Sequence, residues 1–215
     1  VPKKLHENSL GDWPVYMTKD IIDLWRSEGG IGKIVFSLVI PAFLIWEILD
    51  IFNAYVIRID FVVFFAIFFS ILSASIYNWL TEFDTFTNYT YLPAGIGTII
   101  SEKFRTFLLL NSISFAILLA AAVIKGEYGS LLPAALCLLG LSVWSASTIV
   151  LIGGLSPNVM LYDPKIFIAY IALNLPFVLA AMIGSLFATW YVALSVLLVL
   201  PAWLLVKAGI HRAML

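Results

Sequence analysis

Glu47 and Asp50 stand three residues apart, a spacing that places both carboxylates on one face of a helix. Asp60 follows Arg58, so three acids and one offsetting cation gather over a short stretch. At a membrane surface these acids read either as a plain rim or as an acidic outer mouth. A mouth would favour release of a cationic or amphipathic substrate. A second pattern, Gly29-Gly30-Ile31-Gly32-Lys33, looks like the end of a phosphate-binding loop. It fails as one: Ser27 holds the first glycine position, Ile34 replaces the Ser or Thr after the lysine, and no strand precedes it. Lys33 reads as a snorkelling residue at a helix end.

Metal and redox chemistry find little to work with. Haem needs axial ligands at membrane depth, and His6 and His211 both lie outside the apolar runs. Zinc needs clustered His, Cys or carboxylate ligands, and the acids here are scattered. Cys137 sits alone inside an apolar run and can form no internal disulfide. No catalytic residue, cofactor or metal is expected in this chain. Asn78, Asn111 and Asn174 fall within or near apolar runs, where polar side chains usually bond to other helices.

The elements that carry these residues follow from composition. Of 215 residues, 62% are hydrophobic and 12% charged, and the mean hydropathy is +1.04. A soluble domain is about 45–50% apolar and about a quarter charged. A globule of this size could not hide so much apolar surface, so the chain is expected to be an integral membrane protein. That excludes a cytosolic enzyme, a disordered chain and, with a net charge of −1, a nucleic-acid binder. Six apolar runs reach the length of a helical span, about 20 residues. They lie near 34–52, 61–80, 106–124, 130–153, 166–188 and 190–207. The last two are separated only by Ala188-Thr189-Trp190-Tyr191, which fits a tight turn or one long helix with a re-entrant tail. The expected fold class is an all-α membrane bundle of six helices. It divides into an N-terminal segment 1–33, a membrane domain 34–207 and a tail 208–215. The first run begins only after residue 33, so no cleavable signal peptide is expected. Starting at Val1, the chain reads as processed or as part of a longer polypeptide.

Lysine and arginine set the expected orientation. One side holds Lys3, Lys4, Lys19, Arg26, Lys33, Lys103, Arg105, Lys165, Lys207 and Arg212, and the other only Arg58 and Lys125. Both termini are therefore expected in the cytoplasm, with the protein multi-pass in the cell membrane.

Two segments are more than connectors. In 17–28, Met17, Ile21, Leu24 and Trp25 recur at helical spacing while Asp20, Asp23 and Arg26 lie off that stripe. This predicts an amphipathic helix in the membrane interface, with Trp25 at headgroup level, Thr18 as N-cap and Gly29-Gly30 as stop. In 81–105, Glu82 and Asp84 are interleaved with Phe83, Phe86, Tyr89 and Tyr91, and Pro93 then breaks the run. Ile96, Ile99, Ile100 and Phe104 continue at helical spacing into the third run. Aromatic residues mixed with acids on a cytoplasmic loop suit docking to another protein. Asn88-Tyr89-Thr90 matches a glycosylation acceptor, but its expected cytoplasmic side makes that a chance match. Gly153-Gly154-Leu155-Ser156-Pro157-Asn158 reads as a tight turn.

Tyr91-Leu92-Pro93, the helix that ends at Glu102-Lys103, and Lys19-Asp20-Ile21-Ile22-Asp23-Leu24 together resemble the permease subunits of type-2 ABC exporters. The plan covers nearly the whole chain. Where members often have Ser or Thr and then Arg after the proline, this chain has Ala94-Gly95-Ile96-Gly97. The resemblance implies an elbow helix at 17–28 and a coupling helix over 82–91. Glu82, Asp84, Phe86, Tyr91 and Pro93 would carry the contact. It implies a separate ATP-binding cassette subunit that holds ATP and Mg, and a second permease unit or half. The chain itself would not be an enzyme. A reading of a different class is a non-catalytic membrane-anchoring subunit of a larger complex, with the 81–105 loop as a scaffold contact.

Overall fold

The computed structural model describes residues 15–26, 30–56, 59–82, 95–156 and 163–213, and every regular element among them is helical. Helix α1 (Val15–Arg26) precedes α2 (Gly30–Tyr55), whose residues Ile34–Tyr55 are span one. Span two comprises α3 (Phe61–Ser73) and α4 (Ser75–Glu82), separated at Ala74. Span three comprises α5 (Ile96–Leu110) and α6 (Ser112–Lys125), joined through Asn111. Span four is α7 (Leu131–Gly153) and span five α8 (Pro164–Phe187). Span six opens as a 3-10 helix, Thr189–Leu198, and continues as α9 (Val199–Ala213).

Six helices are thus long and apolar enough to cross a membrane, and their order matches the apolar runs. Several boundaries differ from the sequence expectation: α1 begins at Val15, so Thr18 lies inside it and is no N-cap, Gly30 opens α2, and span six continues to Ala213, taking in His211 and most of the segment read as a tail. Span three starts at Ile96, about ten residues earlier than its apolar run, because the amphipathic stretch from Ile96 continues into it without a break. Of the two readings of the link between spans five and six, the structure has the tight turn: Ala188 is extended (φ −160°, ψ 137°) between two separate helices. Asp84, Phe86, Tyr91 and Pro93 lie outside the described residues, as do Asn88, Arg58 and Asn158. Glu82 closes α4.

The core forms around spans two and four, each 72% buried over its most apolar stretch, whereas the other four range from 17% to 33%. Lipid tails are as apolar as leucine, so burial of apolar side chains does not by itself hold such helices together. Close packing and interhelical hydrogen bonds do. Helix α7 carries the residues this needs. Every residue from Gly140 to Val150 is buried, including Ser142, Ser145, Ala146, Ser147 and Thr148. Small side chains let backbones approach. A Cβ added at Gly140 would lie 2.0 Å from the Ser195 carbonyl oxygen, and one at Gly209 2.8 Å from that of Val150. The two glycines mark where span six crosses span four. In α3, Phe61, Phe65 and Phe69 recur every four residues and stack with centroids 6.1 and 5.3 Å apart.

Candidate functional site

Polar side chains concentrate at the two ends of the bundle, with a thin seam between them. At the end that carries α1, Lys103 of α5 is 1% exposed. Its Nζ donates to Asp20 Oδ1 at 3.1 Å and to the Leu80 carbonyl at 2.7 Å. Leu80 belongs to the last turn of α4, where carbonyls lack intrahelical partners and the helix dipole favours a cation. One ammonium thus ties together α1, α4 and α5. Tyr77 of α4 donates to the Gly154 carbonyl at 3.2 Å, and Arg212 of α9 to the Leu151 carbonyl at 3.3 Å, which brings in the end of α7. Glu102 pairs with Arg105 at 3.0 Å, and its buried Oε2 has no hydrogen-bond partner among the described residues.

This arrangement rotates α1 relative to the sequence expectation. Asp20, read there as off the apolar stripe, is buried against α5, and Leu24 is buried with it. Trp25, by contrast, is 78% exposed. The ion pair with Lys103 turns Asp20 inward, so Tyr16, Asp20 and Leu24 form the face on the bundle. Met17, Ile21 and Trp25, also four apart, form a neighbouring face. Asp23 makes an (i, i+4) ion pair with Lys19 at 3.1 Å, and Arg26 is exposed.

At the opposite end, Asp60 is the N-cap of α3: its Oδ1 accepts from the Val63 N–H at 3.1 Å, and its Oδ2 accepts from Ser130. Glu127, in the connection between α6 and α7, accepts the Val62 N–H at 3.0 Å. Two carboxylates therefore share one helix N-terminus, where free N–H groups and the dipole favour negative charge. Burial holds the Glu127 carboxyl above the usual carboxylate range, and the adjacent Asp60 carboxylate pushes it the same way. The Val62 N–H and Lys125 act against them. Lys125 forms an ion pair with Asp50 and sits 4.5 Å from the Trp46 ring centroid and 4.4 Å from that of Phe61. Asn53 accepts the Ile59 N–H at 2.7 Å. Of the three acids read as an outer mouth, the structure brings Asp50 and Asp60 into this bonded cluster. It leaves Glu47 exposed on α2, apart from them.

Between the ends, two of the three asparagines bond across helices. Asn111 donates to Ser142 Oγ at 2.9 Å, and Ser145 donates to Asn174 Oδ1 at 2.7 Å. Trp144 Nε1 donates to the Leu173 carbonyl at 3.2 Å, next to the Ala172 carbonyl that Pro176 leaves without its helical donor. No group of three or more potential metal ligands occurs among the described residues.

Sequence reasoning passed over Lys103, Lys125, Glu127 and Ser130 as site residues. Lys103 had a signal: it falls on the apolar face with Ile99, Ile100 and Phe107, where a lysine needs a buried partner. Glu127 and Ser130 had none, since their partners lie over sixty residues away in sequence. The chain matches no protein-family model, no curated protein and no solved structure.

Proposed function

We propose that the chain is the membrane-spanning permease subunit of an ATP-driven exporter. It would be driven by a separate ATP-binding cassette subunit beneath the end that carries α1, and paired with a second permease unit. The observation that carries this reading is the buried Lys103 bridge. It fixes an amphipathic helix, α1, to the helices on either side of the 83–94 segment. A partner that displaced that segment would move α4, α5 and α1 together, and α1 leads directly into span one. The chain supplies levers and a membrane bundle; the nucleotide chemistry belongs to the partner. On this reading Glu82, Asp84, Phe86, Tyr91 and Pro93 are the coupling contact, both termini are cytoplasmic, and the protein resides in the cell membrane.

The test is purification in mild detergent with identification of co-purifying chains. An ATPase should be recovered, and Asp84→Lys or Phe86→Ala should abolish ATP-driven transport while expression and insertion persist. Recovery of a redox or transferase assembly, with no ATPase, would instead make the chain an anchoring subunit.

A further inference from the structure

Lys207 of α9 is a cation without a countercharge at the edge of the membrane. Span six is about 42 Å long, since its ten 3-10 residues rise about 2.0 Å each and its fifteen α residues about 1.5 Å. The hydrocarbon core of a bilayer is about 30 Å thick, so about 6 Å of a centred helix projects at each end. Lys207 stands six residues before Ala213, the end of the span. Its backbone therefore lies about 9 Å from that end and about 3 Å inside the hydrocarbon edge. The ammonium rests over the Trp203 ring, 5.5 Å from its centroid. An indole face attracts a cation but carries no charge to neutralise it. Lys207 forms no ion pair among the described residues. Acids at this end of the bundle are engaged elsewhere: Asp20 with Lys103, Asp23 with Lys19, Glu102 with Arg105, and Asp163 with the Lys165 N–H.

The surroundings of Lys207 form a stripe. Leu200, Trp203, Leu204, Lys207 and His211 fall within about 100° of arc on the helix, and all are exposed. Ala202, Val206 and Gly209, on the other side, are buried against the bundle. The stripe is graded along its length. Leu200 and Leu204, 73% and 64% exposed, lie at membrane depth, while Lys207 and His211 approach the headgroups. The Trp203 Nε1–H and the His211 ring have no hydrogen-bond partner among the described residues. Apolar surface, an unused indole donor, an unpaired ammonium and an imidazole thus follow one another along one line.

We infer that this stripe is a binding site for one anionic phospholipid, its phosphate on Lys207 and His211 and its acyl chains along Leu200 and Leu204. Charge and polarity together select this occupant. A free phosphate ion could not cover leucines at membrane depth. A neutral lipid would leave the ammonium unanswered. A zwitterionic lipid carries its own cation beside the phosphate, which competes with Lys207 for it. Basic residues beside a span attract anionic lipid in general; the indole and the leucines add a fixed place for a single molecule. The site rests on span six alone and does not depend on the exporter reading.

The full chain in mild detergent would be titrated with phosphatidylglycerol and with phosphatidylcholine of the same acyl chains, and bound lipid counted by native mass spectrometry. The first phosphatidylglycerol should bind at least tenfold more tightly than phosphatidylcholine. Lys207→Gln should abolish that preference, and Lys207→Arg should keep it. Lys165→Gln removes the same charge from an exposed place at the same end and should leave the preference intact. Inorganic phosphate in excess should not displace the lipid. Equal affinity for the two lipids would overturn the site, as would a preference that survives Lys207→Gln. An equal loss in Lys165→Gln would overturn it too, by reducing the effect to diffuse surface charge. Displacement by inorganic phosphate would do the same, by removing the leucine stripe from recognition.

Discussion

Replacing Lys103 by methionine removes the ammonium and leaves Asp20 buried. At 3.1 Å and an effective dielectric constant of about 20, the gross attraction of the pair is about 5 kcal/mol. The net value is smaller, because both ions lose hydration on burial. The asymmetry matters more: removing one partner of a buried pair costs about 3–5 kcal/mol, whereas replacing both with neutral groups is often nearly free. Lys103→Met also deprives the Leu80 carbonyl of its donor. We therefore expect Lys103→Met to lower stability by about 3 kcal/mol or more, a fall of about 6–12 °C in Tm for a chain of this size. Asp20→Asn alone should cost about as much. The double variant should be less damaged than the two costs added, with a coupling of about 2 kcal/mol. Cys137, the sole cysteine and buried, makes the assay simple: a thiol-reactive dye reports its exposure as the detergent-solubilised protein is heated. Asp23→Asn is the control, since its ion pair with Lys19 is half-exposed and worth at most about 0.5 kcal/mol. If Lys103→Met unfolds with wild type, or if the two single costs simply add, the bridge does not hold α1 to the bundle.

Three further outcomes follow from other parts of the molecule. Gly140→Ala places a Cβ 2.0 Å from a backbone oxygen, so it should cost more than the usual overpacking penalty of about 1–3 kcal/mol, whereas Gly32→Ala, with nothing within 4 Å, should be tolerated; equal thermal stability of the two would contradict the crossing of spans four and six. The folded protein holds Glu127 above its ordinary value of 4.5, so it binds more protons than the unfolded chain just above that pH. Stability from this group is therefore complete below about 4.5 and is lost as pH rises through the folded value. Glu127→Gln, which can still accept the Val62 N–H, should flatten that decline in Tm-against-pH profiles, and an unchanged slope would remove Glu127 as its source. Single cysteines at Ser9, Thr87, Asn158 and Ala213 in a Cys137→Ser background should resist an impermeant reagent applied to intact cells. Labelling of any one would reverse the orientation.

The spans were legible because apolar runs of this length have one outcome in a bilayer: every backbone group must be satisfied within the helix. Their boundaries were less so. The third run starts ten residues into its helix because Glu102, Lys103 and Arg105 dilute its hydropathy, although two of those three charges are buried. Hydropathy scores a residue by type and cannot see the partner that makes its burial tolerable. The same blindness hid the polar clusters. Asp60 as an N-cap could be read locally, since the helix begins at the next residue. That Glu127 covers the same helix end could not, because it depends on how α6 and α7 pack beside α3. The paired spacing of Glu47 and Asp50 suggested one shared site. The structure instead divides them, with Asp50 turned toward Lys125 and Glu47 outward. Residues three apart on a helix are about 60° apart around its axis, and at the edge of a packed face that angle separates an ion pair from the membrane.

Span one is where these constraints meet. Helix α2 is tied near both ends: through α1 and the Lys103 bridge at one, and through Asp50, Asn53 and their partners at the other. Between those ties only one face, with Leu38, Ala42 and Leu49, rests on the bundle. The crossing of spans four and six is different in kind. There two glycines bring backbones so close that a displacement must break packing rather than slide it. On the exporter reading, a movement begun at α1 would reach α2 first, which rests through one face on the core built on spans two and four.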